Sequence, residues 1–380
     1  MAISAQEAEG RVGTASINLR KVAAWRGIRV LAWDGEALYG CRRYELVCLR
    51  TARFRAKEKA EWEPVASFRP VWWRSLTSRT PLTYRLVRDG FHALAVLEDQ
   101  TIIAAVPGAI ATRKPGSHEF KTMHEILRGT RPLHIAAVPG GNIYWGEYFD
   151  NRKRAEVHIY ASTDRGQTWD VAYTLPAGAI RHVHNIVYDR WGDCLWILTG
   201  DEGPECKVLR ASRDLRSVET LFSGSQQTRA VAAIPTKDAL YLSTDTPFEQ
   251  NHVLRLDRAG KIEKVAELPS SSIHGCRTID ALFFSTMVEP SAVNPTRDVH
   301  LVGSADRAKW QTLARWHKDS LPMRYFQYGN AILPDGENTT NYLAATMIGV
   351  KHDDLITTLW EVGANEGAKP IGGNANKSLP

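Results

Sequence analysis

His184-Asn185-Ile186-Val187-Tyr188-Asp189, then Arg190-Trp191-Gly192-Asp193, then Cys194-Leu195-Trp196-Ile197-Leu198: this stretch reads as an apolar run, a tight turn and a second apolar run. Two earlier stretches repeat the plan. His92-Ala93-Leu94-Ala95-Val96-Leu97 passes through Glu98-Asp99-Gln100 into Thr101-Ile102-Ile103-Ala104-Ala105. His134-Ile135-Ala136-Ala137-Val138-Pro139 passes through Gly140-Gly141-Asn142 into Ile143-Tyr144-Trp145. The runs are short, rich in Val, Ile, Leu, Trp and Tyr, and broken by Gly, Asp, Asn and Pro, the pattern of strands joined by tight turns. Further turns of the same kind stand at Trp33-Asp34-Gly35-Glu36, Pro235-Thr236-Lys237-Asp238 and Pro334-Asp335-Gly336-Glu337. Long helical periodicity is missing, so the expectation is an all-β chain built from an internal repeat.

A second element recurs late in the repeat. Ser162-Thr163-Asp164-Arg165-Gly166-Gln167-Thr168-Trp169 matches the pattern Ser-x-Asp-x-Gly-x-Thr-Trp in full. Reduced copies stand at Ser212-Arg213-Asp214, Leu256-Asp257-Arg258-Ala259-Gly260 and Ser304-Ala305-Asp306-Arg307 with Trp310. On these residues the chain resembles the Asp-box (BNR repeat), sialidase-like β-propellers over roughly residues 25 to 362. The resemblance implies radial four-stranded antiparallel blades, with the box as a structural turn on the face away from any ligand. Inner strands starting near Ile28, His92, His134, His184, Ala230, Gly275 and Gly329 give seven blades, or six if the first repeat is an appendage. Within residues 1–24, the strand Ala15-Ser16-Ile17-Asn18-Leu19 is expected to complete the last blade and so remove an exposed edge. Residues 25–362 form the propeller and 363–380 a flexible tail in this reading.

The 380 residues are 43% hydrophobic and 24% charged, an ordinary globular balance. The net charge of +6 is spread along the chain, and its densest run, Arg50 to Lys59, falls in an expected outer strand and turn. There is no nucleic-acid motif, so no nucleic-acid partner is expected. No apolar stretch reaches membrane-spanning length and no membrane partner is expected. A mild positive field suits an anionic ligand. The five cysteines lack a CxxC spacing, which speaks against a structural zinc site. The pairs Cys41–Cys48 and Cys194–Cys206 each flank a strand pair, leaving free thiols and bridges both open. Met1 to Gly10 lacks a basic and an apolar leader segment, which reads as cytoplasmic, or as secreted or periplasmic if a leader has been removed.

In a propeller the starts of the inner strands and the loops after the second strands share one face. The starts supply His92, His134, His184, Arg229, His274, Arg277 and Tyr328, with His182 two residues from His184 and so on the same side of an extended strand. The loops supply Glu147, Asp201, Glu202, Asp245 and Glu289. Three chemistries fit this ring. His92, His134, His182 and His184 could hold a divalent metal, Mn, Zn or Ca, with carboxylates completing the shell. His134, Tyr328 and Arg229 could act in metal-free β-elimination next to a uronate, as base, acid and charge stabiliser. Glu147 and Asp201 could form the carboxylate pair of a glycosidase. Arg277, Asp245, Glu202 and His274 would contact substrate. Oligogalacturonate lyases, propellers with a histidine-rich metal centre, are similar in kind, but their motif does not align residue by residue. The sialidase pattern is not met either, since Phe68-Arg69-Pro70 is only a truncated echo of its opening motif.

The leading expectation is an enzyme, hydrolase or lyase, cleaving an anionic or decorated oligo- or polysaccharide, such as one containing uronate, at the channel mouth. The alternative is a non-catalytic glycan- or protein-binding propeller. The sharpest geometric expectation is that His92, His134 and His184 face the channel at one height, with His134 and His184 close enough to share an ion.

Overall fold

A computed structural model describes residues 16–55 and 61–365. The chain is an all-β propeller of seven blades, each built on four antiparallel strands, with one added strand on the first. The fourth blade shows the plan: His182–Asp189 innermost, then Cys194–Gly200, Lys207–Ser212 and Val218–Ser223 outermost. The other inner strands are Arg29–Gly35, Ala93–Val96, Ala136–Ala137, Ala230–Pro235, Ser272–Arg277 and Asn330–Ile332. The seventh blade takes its outermost strand from the start of the chain: Ser16–Arg26 pairs antiparallel with Ile356–Asn365. Pairing the first strand with the last closes the ring and leaves no gap between the terminal blades. The remainder of the expected tail, residues 366–380, lies outside the described residues.

Packing explains why the repeat needs the ring. Strand residues alternate faces, and in these blades both faces are apolar because each meets a neighbouring blade. Seven apolar clusters result, one for each blade-to-blade interface. Trp145, Phe283 and Phe284 are among the largest side chains fully buried there, each contributing about 2–3 kcal/mol by burial.

The intact box forms the expected turn between the third and fourth strands of the third blade. Asp164 Oδ1 accepts from the backbone N–H of Gln167 and Thr168 at 3.0 and 2.9 Å and from Ser162 Oγ at 2.8 Å, while Oδ2 accepts from Thr168 Oγ1 at 2.7 Å. Thr112 Oγ1 donates to Gly166 O at 2.7 Å, tying the turn to the second blade. The reduced boxes keep part of this: Ser212 Oγ donates to Asp214 and Ser304 Oγ to Asp306.

Three local expectations are corrected. Pro334-Asp335-Gly336-Glu337 is not a simple hairpin turn. Asp335–Asn338 leaves the seventh blade and runs parallel to Arg29–Gly35 as a fifth strand on the first blade. Gly336 permits this, since it sits at φ +83° and a Cβ there would stand 2.2 Å from Trp33 O. Between the first and second blades the chain forms two short helices, Trp72–Thr77 and Pro81–Val87, too short to show a helical period. In the basic run, Ala52–Arg55 is a helical turn, and residues 56–60 lie outside the described residues. All five cysteines are buried, free thiols.

Candidate functional site

Loops at the start of the inner strands surround one end of the channel, here called the mouth. The densest chemistry there comes from the fourth blade. Asp201 follows the second strand, and its carboxylate faces His182 and His184 on the first, with Asp201 Oδ2 at 3.6 Å from His182 Nε2 and Oδ1 at 3.4 Å from His184 Nε2. The two Nε2 atoms are 3.1 Å apart. Both imidazoles are almost fully buried.

The outer ring nitrogens fix the tautomers. His182 Nδ1 lies 3.2 Å from Phe149 O, and His184 Nδ1 lies 3.0 Å from Ala230 O. A carbonyl can only accept, so each Nδ1 carries a proton, and the nitrogen turned inward is Nε2, a lone pair wherever it holds no second proton. Two lone pairs at 3.1 Å beside a carboxylate require a proton or a cation among them. Donors about 2.1 Å from an ion, at angles of about 90–110°, stand about 3.0–3.4 Å apart, close to the separations here. Carbonyl acceptors on the far ring nitrogens are also how metal-binding histidines are usually oriented. Among the described residues, His182, His184 and Asp201 form the one group of three such ligand atoms within 4.8 Å of one another. The set fits a divalent transition ion. Two imidazoles speak against Ca, which prefers oxygen throughout.

A polar ring extends this centre. Arg181 Nη1 reaches Asp201 Oδ2 at 3.0 Å. Arg229 Nη2 lies between Asp201 Oδ1 at 3.4 Å and Asp245 Oδ2 at 3.3 Å. Burial would raise the Asp201 carboxyl, but a proton among the inward Nε2 atoms, bonding it to His182 and His184, holds it well below its ordinary range. Burial lifts Asp245 to about 7 even though Arg229 stands beside it. Asp245 Oδ1, Arg229 Nε and Arg181 Nε are buried without a hydrogen-bond partner. The Tyr148 ring packs 4.2 Å from the His182 ring, and burial raises its phenol to about 12. Tyr328 carries the ring onto the seventh blade, its phenol raised by burial and by the Glu289 charge. Arg131 sinks to about 9 through burial and repulsion from Arg29 and Arg88. No ion pair engages Arg131 among the described residues.

The aligned histidines part company. His184 is the extra residue of a β-bulge, since the register slips between Val183 and Asn185. The inner strands of the second and third blades pair without such a slip. Equal distance from the turn therefore does not give equal height or facing. His92 Nε2 is tied to Arg88 O at 2.7 Å, and burial pushes its pKa well down. His134 Nδ1 contacts Asp335 Oδ2 at 2.8 Å, and neither His92 nor His134 belongs to the group at His184.

The channel itself is a cavity of about 660 Å³ reaching the end that carries the Ser162–Trp169 turn, lined by His134, Asn185, Trp191, Arg277, Asp335 and Arg165 among others. His274, lowered to about 4 by burial and by His134, lies beside that pair. Arg277 pairs with Glu337 at 3.2 Å at this end. Glu147 is held by Arg128 and by the His158 amide at 2.8 Å, so both of its carboxylate oxygens are engaged within the third blade and its neighbouring loop. Glu202 is exposed to solvent beside the mouth. Glu289 accepts from Ser271 Oγ at 2.8 Å.

Arg131, Tyr148 and Arg181 were not singled out by sequence reasoning. Each had a faint signal: Arg181 directly precedes His182, Arg131 sits three residues before His134, and Tyr148 follows Glu147 on a returning loop.

No protein-family model and no curated protein matches this chain. Solved structures do resemble it. The WD40 β-propeller domain of Doa1 aligns at a TM-score of 0.53 and 8% identity, covering 92% of this chain and 97% of that one. A chain of the Mitotic Checkpoint Complex aligns at 0.54 and 10% identity, covering 95% and 96%. At such identities the likeness establishes the propeller fold and carries no activity with it.

Proposed function

We propose that the protein is a ligand-binding propeller whose mouth holds a divalent transition ion on His182, His184 and Asp201 and receives an anionic ligand beside it. The observation that carries this reading is the pair of inward Nε2 lone pairs 3.1 Å apart, each fixed by a carbonyl behind the ring. The ion would supply a Lewis-acidic seat for a ligand oxygen. Arg131 and Arg229 would draw a carboxylate or similar group to the same place, and Tyr148 offers a flat face for a sugar ring. A uronate-bearing oligosaccharide matches that combination. The kinship with Asp-box propellers belongs to this proposal, resting on the intact box at Ser162 to Trp169.

Cleavage of such a glycan is the second reading. One observation favours it: a buried carboxyl poised to about 7, Asp245, stands beside Arg229 at the edge of the centre, which is where a general acid is useful at neutral pH.

Elemental analysis of purified protein after exposure to Zn, Mn or Fe(II) tests the first reading. One ion per chain in the parent and none in His184→Ala is expected, and unaltered metal content in His184→Ala overturns it. Retention on uronate-containing glycans, lost with a chelator, is expected next. Unsaturated-uronate absorbance would mark a lyase, and new reducing ends without it a hydrolase.

A further inference from the structure

Of the twelve large apolar side chains that stand exposed among the described residues, six fall within one short segment: Val71, Trp72, Trp73, Leu76, Leu82 and Leu86, with Trp72 75% exposed. They sit on the helical hairpin between the first and second blades. The hairpin is firmly anchored. Asp89 accepts from Arg74 at 2.8 Å, Thr77 at 2.6 Å and Tyr44 at 2.8 Å. Arg85 reaches across to Asp319 at 2.6 Å and Asp354 at 3.2 Å. A rigid element that holds two tryptophans and three leucines toward solvent is presenting them, since contiguous apolar surface of this kind marks an interaction site.

The chemistry at its foot indicates what it meets. The loop between the helices closes a pocket of about 370 Å³ against the first blade, lined by Arg26, Arg29, Arg42, Arg43 and Arg79. No carboxylate lines it. Arg42 has a partner in Glu45 at 3.4 Å, but the other four arginines have no ion pair among the described residues. Arg29 is only 6% exposed and its Nη2 has no hydrogen-bond partner. Clustered guanidinium groups with no carboxylate among them are a seat for an anion, and the planar arginine fork suits phosphate. Tryptophan and leucine beside clustered arginines are the surface of a protein that lies on an anionic bilayer, with rings at headgroup depth and cations on the phosphates. No helix among the described residues is long and apolar enough to cross a membrane, and surface attachment does not require one.

We propose that the hairpin of residues 71–87 docks this protein on an anionic phospholipid surface, with Trp72, Leu76, Leu82 and Leu86 entering the interface and the arginine pocket taking a headgroup phosphate. The inference is independent of the metal centre. Vesicle flotation tests it with the full chain, using phosphatidylcholine alone and phosphatidylcholine mixed with phosphatidylglycerol. Binding to the mixed vesicles, weakening with added salt, is expected. Trp72→Ser with Leu82→Ser should lower it by about tenfold or more. Arg43→Ala with Arg79→Ala should lower it about thirtyfold, each charge near the surface being worth about 1 kcal/mol. All four side chains are exposed, so circular dichroism should show both variants folded. Failure of the parent to float, or flotation unchanged in both variants, overturns the proposal. So does protection of the pocket by inorganic phosphate without vesicle binding, which would make it a site for a free anion. A dimer dissolved by Trp72→Ser, with no vesicle binding, overturns it in favour of a second copy of the chain.

Discussion

Gly146→Ala should damage fold and site together. Gly146 lies in the second strand of the third blade, opposite Val183, the residue between His182 and His184. A Cβ at Gly146 would stand 2.5 Å from Val183 Cβ and 2.5 and 2.8 Å from its two methyl carbons. Ordinary carbon–carbon contact is about 3.5–4.0 Å, so one strand must retreat by about 1 Å. Val183 is 2% exposed and packed in the core cluster between these blades, so no flexible tip can yield. Overpacking of this kind costs about 1–3 kcal/mol. With an unfolding entropy of about 2.1 cal/mol/K per residue, a chain of this length loses roughly 1–4 °C in Tm. The shift falls on the strand that holds both imidazoles, so ligand separations set for an ion near 2.1 Å should open, and metal affinity should fall by about tenfold or more. Differential scanning calorimetry reads the first effect and metal titration the second. Gly146→Ala with parental Tm and parental metal affinity would refute the claim that this close contact positions the centre. Lost affinity with an unchanged Tm would still support it.

Three further outcomes are expected. Adding Zn or Mn at about 100 times its Kd should stabilise the parent by about 2.7 kcal/mol, raising Tm by roughly 3–4 °C, and should leave His182→Ala unmoved in the same scan. Arg258→Met removes the ion pair of the fully buried Asp189, which keeps Trp196 Nε1 at 3.0 Å and the Trp191 amide. The loss should be about 2–3 kcal/mol in urea unfolding, below the full cost of an orphaned charge because Arg258 is 31% exposed, and Asp189→Asn in the same chain should recover part of it. At Asp164, burial opposes ionisation, but the Thr168 amide and hydroxyl and Ser162 hold the carboxyl near 2. A depressed carboxyl pKa stabilises the fold above its unfolded value near 3.8 and loses that contribution as pH falls toward 2. Asp164→Asn should therefore cost about 1 kcal/mol at pH 7, after discounting for solvent screening, and remove this part of the acid sensitivity between pH 4 and 2.

The ring was legible because its signal is periodic. The first five blades repeat an apolar pair around a Gly, Asp or Pro turn, and the box between third and fourth strands marks the same place in several blades. The pair His182 and His184 was legible with it, two residues apart at a strand start, and so was Asp201 on the loop returning to them. The aligned trio does not gather in one place, and the reason is local. A bulge at His184 breaks the count that made it equivalent to His92 and His134, and nothing in residues 182–185 announces a bulge. The strand Asp335–Asn338 was hidden for a related reason. Pro-Asp-Gly-Glu is a turn by composition, and only the neighbouring Trp33 backbone makes Gly336 a crossing point between blades. The engagement of Glu147 by Arg128 was not legible, because Arg128 lies outside the repeat pattern. The hairpin of residues 71–87 carries its apolar side chains outward, which inverts the rule by which helices are read from sequence.

The distribution of unmet polar groups separates the two ends of the channel. Setting aside the indole nitrogens, the buried side-chain atoms without a hydrogen bond include Arg181 Nε, Arg229 Nε and Asp245 Oδ1 at the mouth. Each such group costs the fold about 1–3 kcal/mol, more when charged. Toward the opposite end the comparable groups are matched: His134 with Asp335, Arg277 and Arg190 with Glu337, Asp189 with Arg258. That end also carries the turns that join first to second strands and third to fourth, so its residues are occupied in holding blades together. A protein marginal in stability keeps unmet charges together in one place when something outside the chain completes them. The three orphans surround Asp201, the carboxylate that His182, His184, Arg181 and Arg229 all address. An ion on the two imidazoles and an anion across the arginines would satisfy the set at once. Either alone would leave part of it unmatched, so metal and anion are expected to bind with positive coupling, each raising the affinity for the other by the same factor.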